Sequence, residues 1–210
     1  WKTYHMPVFK LSDAEAEQTV ALMQGKGEAC ARHVQELADC ARKHAIPLAS
    51  HDDDSPAKIA AMAALGVSIS EFPLNVESSH HARQQAMATC MGAPNVVRGK
   101  SQSGNISARE LISAGCCDFL CSDYHPTSML QAVYTLTREL DIPLANAFAF
   151  ITSVPATVMG LSDRGEISPG RLADLALIDD EQLAKVVLTL KSGQPVYSSG
   201  SCFSVEKMAA

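Results

Sequence analysis

His51 closes an apolar run, Ile46-Pro47-Leu48-Ala49-Ser50, and is followed at once by Asp52, Asp53 and Asp54. A neutral imidazole is the commonest metal ligand among side chains, and at a strand tip it can point into a cavity. The other reading makes it a turn residue, with the acids favoured by the positive end of the helix that Ser55 and Pro56 open. Asp54 and Ser55 serve that helix start on either reading. Asp123 ends a second apolar run, Phe119-Leu120-Cys121-Ser122. A carboxylate there can bind metal or take a proton from a metal-bound water as general base. Its alternative is an ordinary aspartate in the turn set by Pro126. His125 lies in that turn and reads as solvated or supporting.

A third group is the stretch 96–105, which carries Arg98, Lys100, Ser101, Ser103 and Asn105 beside the amides around Gly99 and Gly104. Two fixed cations, hydroxyls and glycine-exposed N–H groups suit phosphate oxygens. It is not a P-loop, because that spacing needs glycine where Pro94 stands. A plain solvated loop is the alternative, although long loops inside compact domains are more often functional than idle. His33, His44, His80 and His81 fall on helical patterns and read as surface residues.

The elements that must position these groups follow from capping signals and periodicity. Ser12 to Glu15 has capping-box spacing and predicts a helix fading at Gly25 and Gly27, and a second helix covers 28–44. Pro47 breaks that pattern, and 46–50 reads as a short buried strand. A helix from Pro56 ends at Gly66, residues 67–73 form the next strand, and 77–90 reads as a helix followed by a long polar loop over 92–105. Ser107 to Glu110 opens a further short helix, 116–123 is an apolar strand, and 126–140 is a helix. Three strands alternating with helices predict a parallel sheet, with His51 and Asp123 at the edge where α/β folds build active sites. Beyond Leu161 the runs shorten and alternate, with Ser192-Gly193 as a tight turn, which predicts a small antiparallel element.

Of the 210 residues 47% are hydrophobic and 19% charged, an ordinary composition with enough apolar material for a sizeable core. A net charge of -6 argues against a nucleic-acid groove binder and for small-molecule partners. No apolar run reaches the roughly 18 residues of a membrane span, and the first residues lack a signal-peptide core, so a cytoplasmic location is expected. The seven cysteines have no CxxC spacing and read as reduced, mostly buried thiols, which argues against a structural zinc cluster.

Taken together, the stretches 48–53, 92–105, 120–126 and 153–179 resemble the C-terminal half of an amidohydrolase-superfamily enzyme, of the branch that acts in phosphonate degradation. The resemblance runs from roughly Ser12 to Phe203. It implies an α/β fold, part of a distorted (β/α)8 barrel of TIM type. Residues 1–160 would supply the last three βα units, 161–203 a β-sandwich segment and 204–210 a tail. It also implies a divalent metal, zinc, held by His51 as a sixth-strand ligand and by Asp123 as the eighth-strand acid. The implied reaction is attack of an activated water on the triphosphate of a ribose phosphonate, releasing diphosphate. Asp123 would be the catalytic proton acceptor, and Arg98, Lys100, Ser101, Ser103 and Asn105 would bind phosphate.

The His-x-His or His-x-Asp pair of the first strand and a fifth-strand histidine are missing. Three strands fall well short of a barrel, which takes about 250 residues. The expectation is therefore an incomplete, poorly active hydrolase with an uncovered inner sheet face. It would bind metal weakly or not at all and self-associate through its open edge, with no nucleic-acid or membrane partner. The alternative class is a non-catalytic α/β module that binds a phosphorylated ligand or completes another subunit. A doubly wound enzyme is disfavoured by the lack of a glycine-rich first βα turn.

Overall fold

The computed structural model describes Met6 and residues 9–25, 27–101, 104–181 and 183–200. The chain forms two compact units, Trp1–Leu48 and Ala49–Ala210. The first holds helices α1, Asp13–Gly25, and α2, Gly27–Lys43. The expected capping box is present: the Glu15 carboxylate accepts from the Ser12 backbone N–H at 2.9 Å and from its hydroxyl at 2.6 Å. Helix α2 buries Ala38 and Ala41, while Val34 and Leu37 on the same pattern are exposed.

The second unit begins with a parallel sheet of four strands in the order β1-β2-β3-β4: Ala49–His51, Ile69–Glu71, Ala88–Gly92 and Phe119–Cys121. Helices α3, Pro56–Ala64, and α4, Val76–Gln84, connect the first three strands. Helices α5, Ala93–Arg98, and α6, Ala108–Ser113, lie between β3 and β4. Three more follow: α7, Ser128–Leu140; α8, Leu144–Ala149; and α9, Ser153–Val158. The caps read from sequence hold. Ser55 accepts from the Lys58 backbone N–H at 3.4 Å, with Pro56 in the first turn, and Ser107 and Glu110 form a complete capping box.

The count of three strands is corrected to four. The run 77–90, read as one helix, stops at Gln84, turns through Ala86 at φ 57° and becomes β3. Backbone bonds from Gln85 and Met87 to Ala82 close that turn without glycine or proline, so the usual punctuation is absent. The spacing between His51 and Asp123 therefore holds three strand-to-strand steps rather than two. The stretch 92–105 is likewise not all loop, since its first part is α5, started by Pro94 and ended by left-handed Gly99.

Register partners in parallel strands share a face. On one face Met91 and Leu120 join Val96, Leu111, Val133, Leu136 and Ala147 in the main core under α5 to α8. On the other, Ile69, Cys90 and Phe119 are buried with Val154 and Val158 of α9 packed against them. The inner face is thus buried at Ile69, Cys90 and Phe119, with α9 packed against that cluster, and half-buried at Glu71, Ala88 and Cys121, where a wholly uncovered face was expected. At β1 the expectation stands, because Ala49 and His51 are exposed on either side of buried Ser50. The far side of β4 is met by a bond from Leu120 N–H to the Phe150 carbonyl, 2.9 Å.

The described cysteines are all free thiols; Cys90, Cys116 and Cys117 are buried, whereas Cys30 and Cys40 are exposed, contrary to expectation. Burial pushes the Cys117 thiol up. Cys90, hydrogen-bonded to Cys121 and buried, is held well above the ordinary thiol range, and the same bond draws Cys121 below it.

The expected antiparallel element is a three-stranded sheet of β5, Leu175–Asp179, β6, Lys185–Lys191, and β7, Gln194–Ser198. Ser192 at φ 50° and Gly193 at φ 77° make the two-residue hairpin turn between β6 and β7. Asp174 anchors it, accepting from Lys191 Nζ at 2.6 Å, Ser192 N at 2.8 Å and Arg164 Nη1 at 3.2 Å. The Lys191 bond, then the Ser192 amide, hold this carboxyl below the usual aspartate value of 3.8. The stabilisation is therefore complete above the unfolded-state value and is lost as pH falls through the lower folded-state value. Thermal unfolding followed from pH 5 downward should show a steeper loss for the native chain than for Asp174→Asn, which has no carboxylate to protonate.

Candidate active site at the strand ends

The four parallel strands end in a row, and His51, Phe72, Gly92 and Asp123 follow that row from β1 to β4. The His51 ring meets the Phe72 ring edge to face, with centroids 5.1 Å apart and planes at 83°. A methyl group built on Gly92 would lie 3.4 Å from Phe72 Cε1 and 3.4 Å from Asp123 Oδ2. The backbone of β3 at Gly92 thus lies within contact reach of both the phenylalanine ring and the carboxylate. The chain leaves its strands through left-handed residues, Asp52 at φ 54°, Phe72 at φ 55° and Asp123 at φ 48°. Aspartate tolerates that region, but for a bulky phenylalanine it is an outlier of the kind that clusters at functional sites. His51 Nδ1 faces Asp52 Oδ2 at 3.2 Å, and both side chains are about half exposed at 56%.

The three acids after His51 do not share one environment. Asp52 and Asp54 are exposed, as a wet rim requires, but Asp53 is 0% exposed. Its Oδ2 accepts from the Ser50 and Ser70 hydroxyls, each at 2.5 Å. Its Oδ1 takes no hydrogen bond and faces the Lys58 ammonium at 3.4 Å. Lys58 also donates to the His51 carbonyl at 2.7 Å and the Asp52 carbonyl at 2.8 Å. Asp53 and Lys58 therefore clamp the turn that presents His51. The sequence signal for this was Lys58 one turn into a helix after an acid run, which an N-terminal charge argument passes over.

From the β3 side, Arg98 ends α5 and donates to the Tyr124 hydroxyl at 2.7 Å, with its guanidinium 6.0 Å from the ring centroid. Tyr124 follows Asp123 directly, so this bond joins the end of α5 to the turn after β4. Lys100 and Asn105 are exposed and Ser101 is half-buried. Ser103 lies outside the described residues. Asn95 Oδ1 accepts from the Ala108 amide at 3.0 Å and closes the neck of the loop. Sequence reasoning missed Tyr124, Phe72 and Gly92, none of which is a metal-ligating or acid–base residue type or carries a motif. His125 is exposed in its turn, as expected.

Residues 14–197 match the Amidohydrolase family, and the chain belongs to that family. It is 37% identical over 180 residues to the alpha-D-ribose 1-methylphosphonate 5-triphosphate diphosphatase of Escherichia coli (strain K12), covering 84% of this chain and 48% of that protein. The chain thus spans about half the length of that curated relative. Its fold is similar to that of an amidohydrolase from Thermotoga maritima MSB8, with a TM-score of 0.58 at 18% identity, over 72% of this chain and 43% of that one. It is also similar to the N-acetylglucosamine-6-phosphate deacetylase from Pasteurella multocida, with a TM-score of 0.57 at 15% identity, over 77% of this chain and 53% of that one.

Amidohydrolases generally use divalent metal ions. The donors described here do not make such a centre by themselves. No group of three or more His, Cys, Asp or Glu side chains that could hold a metal ion exists among the described residues. Protein zinc sites take three or four ligands. The two donors expected from the sequence, His51 and Asp123, stand at the ends of the first and last of the four strands, and the His51 ring packs against Phe72. Among the described residues no helix is long and apolar enough to cross a membrane.

Proposed function

We propose that this chain is the C-terminal part of a cytoplasmic hydrolase that cleaves a phosphorylated sugar of the ribose phosphonate type. The bond broken joins the α- and β-phosphoryl groups, so that diphosphate leaves and a 5-phosphate remains. The observation that carries the proposal is the bond from Arg98 to Tyr124, which ties the cation at the end of α5 to the residue that follows Asp123. Similarity to the diphosphatase over most of the chain favours the substrate class. In this reading Arg98, Lys100, Ser101, Ser103 and Asn105 hold phosphoryl oxygens. The cations offset charge that builds on the leaving diphosphate. Asp123 accepts the proton of the attacking water.

The four strands would be half of a (β/α)8 barrel, with the antiparallel sheet as part of a β-sandwich. Taking β4 as the eighth strand makes β1 the fifth, so His51 moves one strand from the sixth-strand place that the sequence spacing suggested. The divalent ion of the complete site, zinc in this reading, needs donors beyond His51 and Asp123. The exposed end of the sheet at β1 would be covered by self-association. No nucleic-acid or membrane partner belongs to this proposal.

The short donor set favours a second reading, a non-catalytic module that binds a phosphorylated ligand. Phosphorus NMR of the chain mixed with a ribose 5-triphosphate and excess zinc separates the two. Diphosphate as product supports the diphosphatase, and orthophosphate as the sole product contradicts it. Ligand binding without turnover supports the module. Metal retained after gel filtration should stay well below one equivalent, and a full equivalent would reveal a donor set beyond these two residues.

A further inference from the structure

The phosphate-binding stretch is held by a residue outside it. Arg109, in the first turn of α6, donates from Nε to the Val96 carbonyl at 2.7 Å and from Nη2 to the Val97 carbonyl at 3.2 Å. Its Nη1 bonds Glu139 near the end of α7. The guanidinium lies against Gly99, where a methyl group would stand 3.1 Å from Arg109 Cζ. Gly99 at φ 72° is the residue through which the chain turns from α5 into the loop. The last carbonyls of a helix have no partner within it, and here one side chain takes those of the two residues before Arg98. A planar guanidinium can make these three contacts at once, whereas an ammonium on a flexible stem cannot hold the same geometry.

Resting on the anion-binding reading of this loop, we infer that Arg109 and Glu139 are positioning residues for Arg98. They fix the end of α5 so that the Arg98 guanidinium stands ready beside Tyr124, without touching the ligand themselves. Binding a polyphosphate then costs less ordering at the site than it would with a loose helix end. Glu139, through its bond to Nη1, holds the plane of the Arg109 guanidinium against the end of α5.

The test is calorimetric titration of the full chain with inorganic tripolyphosphate in chelator-treated buffer, with thermal midpoints recorded alongside. Arg98→Ala should weaken binding by about tenfold through loss of a charge-assisted contact. Arg109→Lys keeps the net charge and should still weaken binding by about fivefold, because the fork is lost. Glu139→Gln is the sharper variant. Removing a negative charge would by Coulomb attraction alone tighten binding of an anion. Lost positioning predicts the opposite sign, about threefold weaker. Unchanged binding in Arg109→Lys, or tighter binding in Glu139→Gln, overturns the positioning role while leaving the anion site intact. Unchanged binding in Arg98→Ala overturns the anion site and the positioning role with it.

Discussion

On the proposed reading, Asp123→Asn is expected to lower whatever diphosphate release the chain shows from a ribose 5-triphosphate by about 10²- to 10⁴-fold, the usual contribution of a positioned general base. The substitution suits the site well. Asp123 is exposed and sits at φ 48°, a conformation asparagine adopts as easily as aspartate. The thermal midpoint should therefore stay within a degree or two of the parent, since surface changes of this kind are worth about 0.5 kcal/mol or less. Initial rates with and without the substitution, measured at saturating substrate, read the effect directly. Equal rates would remove Asp123 from the chemistry and leave it as a turn residue above Gly92.

The largest expected effect on stability comes from Asp53→Ala. The variant would leave the Ser50 and Ser70 hydroxyls without their acceptor and the Lys58 ammonium without its carboxylate. Breaking a buried charge pair from one side is strongly destabilising, here about 3 kcal/mol because Lys58 reaches solvent and recovers part of its hydration. Asp53→Asn keeps a carbonyl oxygen for one serine and should cost about 1 kcal/mol. Urea unfolding gives both values from the midpoints at constant slope. A loss of under about 0.5 kcal/mol in the alanine variant would mean that Asp53 is as wet as Asp52 and Asp54. The clamp on the His51 turn would then not exist.

Much of this architecture was legible in the chain. Ser12, Ser55 and Ser107 announce three helix starts through side-chain oxygens that meet backbone N–H groups, a local interaction that needs no tertiary context. Ser192-Gly193 announces its hairpin in the same way. What escaped was decided by distant contacts. β3 follows α4 through Ala86 without a breaker. It is a strand through its parallel pairing with β2 and β4, and Asp118, from just before β4, adds bonds from the Thr89 amide at 2.8 Å and its hydroxyl at 2.9 Å. Missing that strand placed His51 one unit too close to Asp123.

The same limit applies at the rim. His51, Asp123 and Arg98 were legible as candidates because their chemistry is intrinsic to the residue type. Tyr124 and Asp53 gain their roles from partners. One aligns a guanidinium, and the other is buried between two serines on adjacent strands. Three aspartates in a row look alike in sequence, yet the fold buries one and leaves two in water.

The most direct measurement of the whole account is the affinity of the chain for tripolyphosphate before and after Asp123→Asn, at fixed low salt. On the proposed reading an anion seated on the Arg98 loop lies close to the Asp123 carboxylate, so neutralising that carboxylate should tighten binding by about two- to fivefold. Affinity that ignores position 123 would mean that phosphate binds elsewhere and that the strand ends do not form one site.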